Sequence, residues 1–181
     1  EKVIFEYGHG GKHSGAVNKG RKEKDDDLKL GKDIKRKLES YGVIVDETRK
    51  TDEYVSLQER CNIANKKDYD YFISFHRNSF VGKAEGVETY VYTTKTPQAF
   101  KLATLINDGI SSIGFKNRGV KTGNFKVLRD TKAKAILIEV GFISSDKDNK
   151  LFDSKYNEIV EVITKVILKV LNICQTYLQI F

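Results

Sequence analysis

The sequence predicts a single α/β domain with a largely parallel, twisted sheet of about six strands, flanked by helices on both faces. Three observations support this class. Short apolar runs alternate with segments of helical periodicity, glycines and the one proline stand at segment boundaries, and 181 residues are the length of one ordinary domain. We therefore expect residues 1–181 to form one domain.

The first half of the chain is predicted as strand, helix, strand, helix, strand. Strands are placed where apolar residues cluster, and helices where they recur every three or four positions. Acidic residues open the first helix, and Ser56 with Glu59 has the spacing of a capping box at the second. The predicted elements are 3–5, 25–41, 43–45, 56–67 and 71–75.

The second half repeats the alternation with longer connections. A strand is predicted at 87–92, and Thr96 and Pro97 then open a helix that reaches Ile113. An apolar strand follows at 135–140, and a closing helix at 159–174. Strands that alternate with helices in this way favour a parallel sheet with right-handed crossovers.

Composition excludes several classes of protein. With 39% apolar residues the chain is too hydrophobic to be an intrinsically disordered protein. No uncharged apolar stretch approaches the length of a membrane span. The two cysteines, Cys61 and Cys174, are predicted to be core thiols. No signal-peptide pattern opens the chain. The net charge of +7 favours an anionic partner, but the interleaved basic and aromatic residues typical of nucleic-acid binding are absent.

Candidate chemistry lies where predicted strands end. His9 follows the first strand, His76 follows the strand at 71–75, and Glu139 stands near the end of the strand at 135–140. Ligand sites of open α/β sheets lie beyond the carboxyl ends of parallel strands, so these three side chains should meet. Two imidazoles and a carboxylate suit Zn²⁺ with a water in the fourth position.

His13 competes with His9 as a ligand because the two are four residues apart, although Gly10 and Gly11 argue against a helix there. The alternative for His13 is a loop position near the mouth of the site. Other catalytic or nucleotide-binding motifs are excluded. Gly15 and Gly20 have the spacing of a phosphate loop, but the Lys-Ser/Thr that must follow is missing. The sequence also has no dinucleotide-binding, serine-hydrolase or His-Glu-x-x-His signature.

Several ordered motifs resemble those of the zinc-dependent N-acetylmuramoyl-L-alanine amidases. The similarity begins at Val3 and reaches about the last helix. The matching blocks are 3–5, Gly8-His9-Gly10-Gly11, 15–17, 22–25, 48–49, 57–60, 63–65, 72–78, 86–90, 117–121, 127–129 and 138–142.

This resemblance implies one Zn²⁺ per chain held by His9, Glu23 and His76, and a catalytic role for Glu139. Glu23 is assigned from the resemblance alone, because an acidic residue in this cluster is explained most simply as favourable negative charge at the start of a helix. The implied reaction is hydrolysis of the amide between the lactyl group of N-acetylmuramic acid and L-alanine in peptidoglycan. Zinc would activate water and polarise the carbonyl, and Glu139 would move the proton.

Two departures from the family pattern are visible. Glu6-Tyr7 replaces Asp-Pro before the Gly-His-Gly-Gly turn, and Arg77 replaces alanine after the second histidine. These changes bear on ligand orientation and substrate preference. Arg77 and Asn78 are candidate substrate-binding residues, and Arg77 is expected to bind a carboxylate of the stem peptide through two hydrogen bonds. Alternatively, strand alternation points Arg77 away from His76 into a local ion pair.

The resemblance implies action at the bacterial cell wall, by a secreted or phage-released protein, and we expect a monomer. Two other functions remain open from the sequence. One is a different zinc-dependent peptidoglycan peptidase, which product analysis would separate. The other is a metal-free wall-binding module, which would bind without turnover.

Overall fold

The computed structural model describes residues 1–173, so Cys174 lies outside the described part. The strands are β1 (Lys2–Tyr7), β2 (Val17–Asn18), β3 (Arg21–Lys22), β4 (Ile44–Glu47), β5 (Tyr71–Asn78), β6 (Val87–Val91), β7 (Asn117–Thr122) and β8 (Lys134–Phe142). The helices are α1 (Glu23–Ser40), α2 (Leu57–Ala64), α3 (Pro97–Ile113), α4 (Lys126–Arg129), α5 (Asp146–Ser154) and α6 (Tyr156–Val170).

Six strands form one sheet in the order β4-β1-β5-β8-β6-β7. The first four of these run parallel, whereas β6 pairs antiparallel with β8, and β7 follows β6 in parallel. The short β2 and β3 pair with each other as a separate ribbon. The predicted fold class, a largely parallel six-stranded sheet in an α/β domain, is confirmed.

Strand alternation divides the core between the two faces of the sheet. On one face, Phe5, Ile73 and Ile138 belong to a large cluster with apolar residues of α1, α3 and α6. On the other face, Phe72 and Leu137 pack with Cys61 of α2 and Leu128 of α4. Helices therefore cover both faces, as predicted, and Cys61 is a buried free thiol.

The structure differs from the predicted elements in three places. Five elements were not predicted. They are short and mostly polar or edge-exposed, so they carry little apolar periodicity: β2, β3, β7, α4 and α5. The closing helix, α6, runs from Tyr156 to Val170, whereas the prediction was 159–174. The first helix begins at Glu23, two positions earlier than predicted, and this residue belongs to the functional site.

The carboxyl ends of β1, β5 and β8 meet at one edge of the sheet, because these strands are parallel neighbours. The start of β6 reaches the same edge, since β6 runs in the opposite direction. In the part of the chain that the structure describes, no helix combines the length and apolar character that crossing a bilayer requires.

Candidate metal centre

His9 stands in the turn after β1, with its backbone in the left-handed region at φ 61°. A non-glycine residue in that region costs free energy unless its surroundings hold it there. Two buried arginines do so. Arg60 donates to the carbonyl oxygen of His9, and Arg49 donates to that of Gly8 at 2.9 Å. The turn that presents His9 is therefore fixed by side chains from later in the chain.

Glu23 is the first residue of α1 and is buried. Its Oε2 accepts a hydrogen bond from the backbone N–H of Ala16 at 2.9 Å, and its Oε1 accepts one from that of Arg77 at 3.2 Å. The N-terminus of a helix also favours negative charge. The carboxylate is thereby held between the loop before α1 and the end of β5.

The imidazoles of His9 and His76 both contact Glu23. Nε2 of His9 and Nδ1 of His76 each lie 3.0 Å from Oε1 of Glu23. Ligand atoms of a tetrahedral zinc lie about 3.3 Å apart, since Zn–N and Zn–O bonds are about 2.0–2.2 Å. The two nitrogens and the carboxylate therefore stand at the spacing of a zinc ligand set.

Asp27, one turn further along α1, is a fourth donor that the sequence analysis missed. One donor atom from each of His9, Glu23, Asp27 and His76 lies within 4.8 Å of the others. Neither carboxyl oxygen of the buried Asp27 has a hydrogen-bond partner among residues 1–173. A cation would supply that missing partner. The sequence did contain a signal for Asp27, because a residue four positions after Glu23 lies on the same face of a helix.

The charges of the centre are strongly coupled. Burial disfavours the charged form of His76, but hydrogen bonds with Glu23 and Glu6 raise its pKa well above the usual range. Burial likewise acts against ionised Glu23, yet the two histidines hold its pKa far below normal. For Asp27, burial and the Glu23 charge raise the pKa well above normal. A divalent cation would thus compete with protons for these donors.

Two glycines leave room for the ligand side chains. A Cβ at Gly8 would lie 2.3 Å from Cε1 of His76, and a Cβ at Gly15 would lie 2.5 Å from Cδ2 of His9. Gly15 also has φ +67°, which L side chains rarely adopt. Any other residue at either position would displace an imidazole.

Glu6 lies behind His76, with its Oε2 3.5 Å from Nε2 of the ring. The Ser74 hydroxyl donates to the same oxygen, and the Arg60 guanidinium donates to Oε1. Burial alone would raise the pKa of Glu6, but His76 and Arg60 lower it to about 2. Glu6 is thus a charged acceptor, the usual partner of the outer nitrogen of a metal-binding histidine.

Glu139 is the residue of β8 directly opposite His76 in the parallel pairing. It lies outside the four-residue donor group, in which the carboxylates beside the two histidines come from α1. Oε2 of Glu139 is buried and has no hydrogen-bond partner among residues 1–173. Burial, together with the nearby charges of Glu23 and Glu88, raises its pKa to about 8.

A groove of about 350 Å³ opens beside these side chains. Its walls are mainly apolar and include Tyr54, Leu57, Phe125 and Val127, while His76 and Glu139 reach it from the sheet. His13 also lines the groove and packs on Tyr54 with ring centroids 4.5 Å apart. His13 is outside the donor group, in the loop position that was its alternative.

Of the two alternatives for Arg77, the structure shows the one in which the side chain turns away from His76 into a local ion pair. Arg77 points to the opposite face of the sheet from His76, where it is 2% exposed. It donates to Asp26 at 2.6 Å and to Asn149 at 2.7 Å, and it lies over the ring of Phe152. Strand alternation explains this orientation, because successive side chains point to opposite faces.

Asn78 remains on the face of His76 but is engaged with protein. Its Nδ2 donates to Oε1 of Glu88 at 2.7 Å, and its Oδ1 accepts from the backbone N–H of Ser79 at 2.9 Å. Glu88 is the residue of β6 directly opposite Glu139. Asn78 therefore supports the carboxylate next to Glu139.

Comparisons with known proteins agree with this geometry. The chain is 38% identical over 159 residues to a sporulation-specific N-acetylmuramoyl-L-alanine amidase of Bacillus subtilis, which covers 86% of this chain and 62% of that protein. It is also 38% identical over 180 residues to the endolysin of Bacillus phage SPP1, which covers 94% of this chain and 66% of that one. This chain thus spans just under two thirds of each of these relatives.

Solved structures show the same architecture. An N-acetylmuramoyl-L-alanine amidase of Clostridium difficile 630 superimposes with a TM-score of 0.89 at 32% identity, covering 94% of this chain and 96% of that one. The amidase AmiC2 of Nostoc punctiforme superimposes with a TM-score of 0.87 at 36% identity, covering 94% of this chain and 97% of that one. The profile of the N-acetylmuramoyl-L-alanine amidase family matches residues 3–169, and the chain belongs to that family.

Proposed function

We propose that this protein hydrolyses the amide bond between the lactyl group of N-acetylmuramic acid and L-alanine in peptidoglycan, at the bacterial cell wall. The observation that carries the proposal is the convergence of His9, Glu23 and His76 directly beside Glu139. Family membership, with relatives that are named amidases or endolysins, supports the same reaction.

The donor set fits one Zn²⁺. Two imidazole nitrogens and a carboxylate are the ligands of hydrolytic zinc sites, and the unpartnered oxygens of Asp27 lie beside them as a further donor. His9, Glu23 and His76 would hold the ion. When bound, zinc lowers the pKa of a water and polarises the amide carbonyl.

Glu139 acts as the general base and acid. Its Oε2 takes the proton of the attacking water and returns it to the nitrogen of L-alanine as the carbon–nitrogen bond breaks. The water oxygen remains on the lactyl carbonyl carbon, which becomes a carboxylate. In the metal-free protein burial raises the pKa of Glu139 to about 8, so this carboxyl is suited both to accept and to return a proton.

Glu6 and Arg60 prepare the site by holding the metal ligands in place. Glu6 holds the outer nitrogen of His76, so that Nδ1 faces the metal position. Arg60 binds both Glu6 and the His9 carbonyl oxygen, and thereby couples two of the ligands. The mainly apolar groove beside Glu139 limits water around the reacting bond.

Digestion of purified peptidoglycan with zinc-loaded protein, with and without a chelator, tests the proposal by mass analysis of the fragments. We expect new N-terminal L-alanine and free lactyl carboxylates only without the chelator. Cleavage within the stem would instead identify a peptidase, and chelator-resistant binding with no turnover would identify a wall-binding module.

Zinc content of three variants tests the ligand set. His9→Ala and His76→Ala should lose metal and activity, because each removes a donor. His13→Ala is the matched control and should keep both. Loss of zinc in the His13 variant alone would overturn the ligand assignment.

A further inference from the structure

A row of charged side chains crosses the sheet next to the metal centre. His76 on β5 is paired with Glu139 on β8, and Glu139 is paired with Glu88 on β6. Side chains at paired positions lie on the same face of a sheet, so the row leads from the metal ligands across the proposed base to Glu88.

Glu88 is buried and is held by four donors. Lys121 and Arg118 both bind its Oε2, the latter at 2.8 Å, while Asn78 and Tyr90 donate to its Oε1 at 2.7 and 2.9 Å. Burial acts against its ionisation, but Lys121 and Arg118 lower its pKa to about 2. Glu88 is therefore ionised and fully partnered.

Two cations on one carboxylate leave one positive charge in excess. One cation would suffice to neutralise Glu88. The side chains of Arg118 and Lys121 are 30% and 39% exposed, so both remain accessible from the surface. Arg118 uses Nε for Glu88, and its Nη2 has no hydrogen-bond partner among residues 1–173. The pair can accept a second anion without losing Glu88.

The groove beside Glu139 has a different character. Most of its surface is apolar and comes from side chains such as Tyr54, Leu57 and Phe125. Lys126 is the lysine of that lining, and it is paired with Asp130 at 2.8 Å. The groove therefore suits an uncharged occupant, whereas Arg118 and Lys121 suit an anion.

We propose that Arg118 and Lys121 form an anion subsite that binds a carboxylate on the peptide side of the scissile bond. This inference rests on the proposed function. In the substrate, the sugars are neutral and the stem peptide carries the carboxylates, so the glycan lies along the apolar groove. The pair is two strands from Glu139, about 10 Å. The carboxylate of the residue after alanine lies two residues beyond the bond, about 7 Å along an extended chain.

The guanidinium anchor expected at Arg77 is thus supplied by Arg118. Arg77 lies on the far face of the sheet, whereas Arg118 lies on the face of Glu139. The role of Arg118 and Lys121 is substrate binding and orientation, and neither reaches the reacting atoms.

The test uses two soluble disaccharide peptides that differ only in the carboxyl group of the residue after alanine, free in one and amidated in the other. Zinc-loaded protein is assayed for KM and kcat, and binding is measured by calorimetry in the Glu139→Gln background. We expect the free acid to bind about 3- to 30-fold more tightly, the range of partly exposed charge-assisted hydrogen bonds.

Lys121→Met and Arg118→Gln should each reduce this preference, through a higher KM for the free acid. Lys101→Met, at an exposed position of α3, is the matched control and should keep the preference. Chemical denaturation of each variant shows whether it is folded.

Equal affinity for the two substrates, or a preference that persists in folded Lys121→Met and Arg118→Gln proteins, would overturn the subsite. Failure of the zinc-loaded wild-type protein to cleave either substrate would instead overturn the proposed function. The calorimetric comparison reports on the subsite in either case.

Discussion

The ring of His76 lies between two carboxylates, with Nδ1 3.0 Å from Glu23 and Nε2 3.5 Å from Glu6. The first contact is on the side of the donor group and the second is on the side of the sheet interior. Since Glu6 is held by Ser74 and Arg60, the tautomer and tilt of His76 are set by residues that do not belong to the donor group.

Glu6→Gln should weaken zinc binding by about 10–100-fold, because the neutral amide is a poorer acceptor for the outer nitrogen of His76. Competition with a chromophoric chelator measures this change. Glu47→Gln is the control, since Glu47 on β4 has a buried side chain whose carboxylate binds Tyr7 and Lys32. Equal zinc affinity in the Glu6 variant and the wild type would remove Glu6 from the metal centre.

Glu139→Gln should keep zinc and fold but lose about 10²–10⁴-fold in turnover, the usual cost of removing a general acid–base. Fragment release from peptidoglycan and elemental analysis measure the two properties on the same preparation. Glu59→Gln, on the exposed side of α2, should retain full activity. If the Glu139→Gln protein digests the wall near the wild-type rate, Glu139 has a structural role and is not the general acid–base.

The same variant should change how the metal-free protein responds to pH. In the fold the pKa of Glu139 is raised from 4.5 to about 8, so the unfolded chain releases this proton first as the pH rises. This residue therefore costs stability progressively between about pH 5 and pH 8. With chelator present, Glu139→Gln should gain stability relative to wild type over that window, as measured by urea unfolding. A constant difference from pH 5 to pH 9 would contradict the raised pKa.

Arg77→Ala should destabilise the protein by about 3–5 kcal/mol, because it removes one partner of a buried ion pair. Urea unfolding measures the loss, and activity per folded molecule should be unchanged. Arg129→Ala, at an exposed position, is the control and should cost little. If Arg77→Ala raises KM and keeps full stability, Arg77 takes part in substrate binding instead.

Local patterns in the sequence determined much of the framework. Helical and strand periodicity predicted β1, β5, β8 and α3, and the ends of two of those strands located His9 and His76. The predicted Ser56 cap is present, with Oγ accepting from the N–H of Glu59 at 3.1 Å. These features are decided within a few residues, so they can be read from spacing and residue type.

The family resemblance implied Glu23, but no local pattern in the sequence showed which carboxylates meet the histidines. Glu23 and Asp27 lie on α1, and only the packing of that helix against the sheet brings them to His76, which is 53 positions from Glu23 in the chain. The orientation of Arg77 and the pairing of Glu88 with Glu139 likewise depend on strand register. A one-residue change in register moves a side chain to the other face, and long-range packing sets that register.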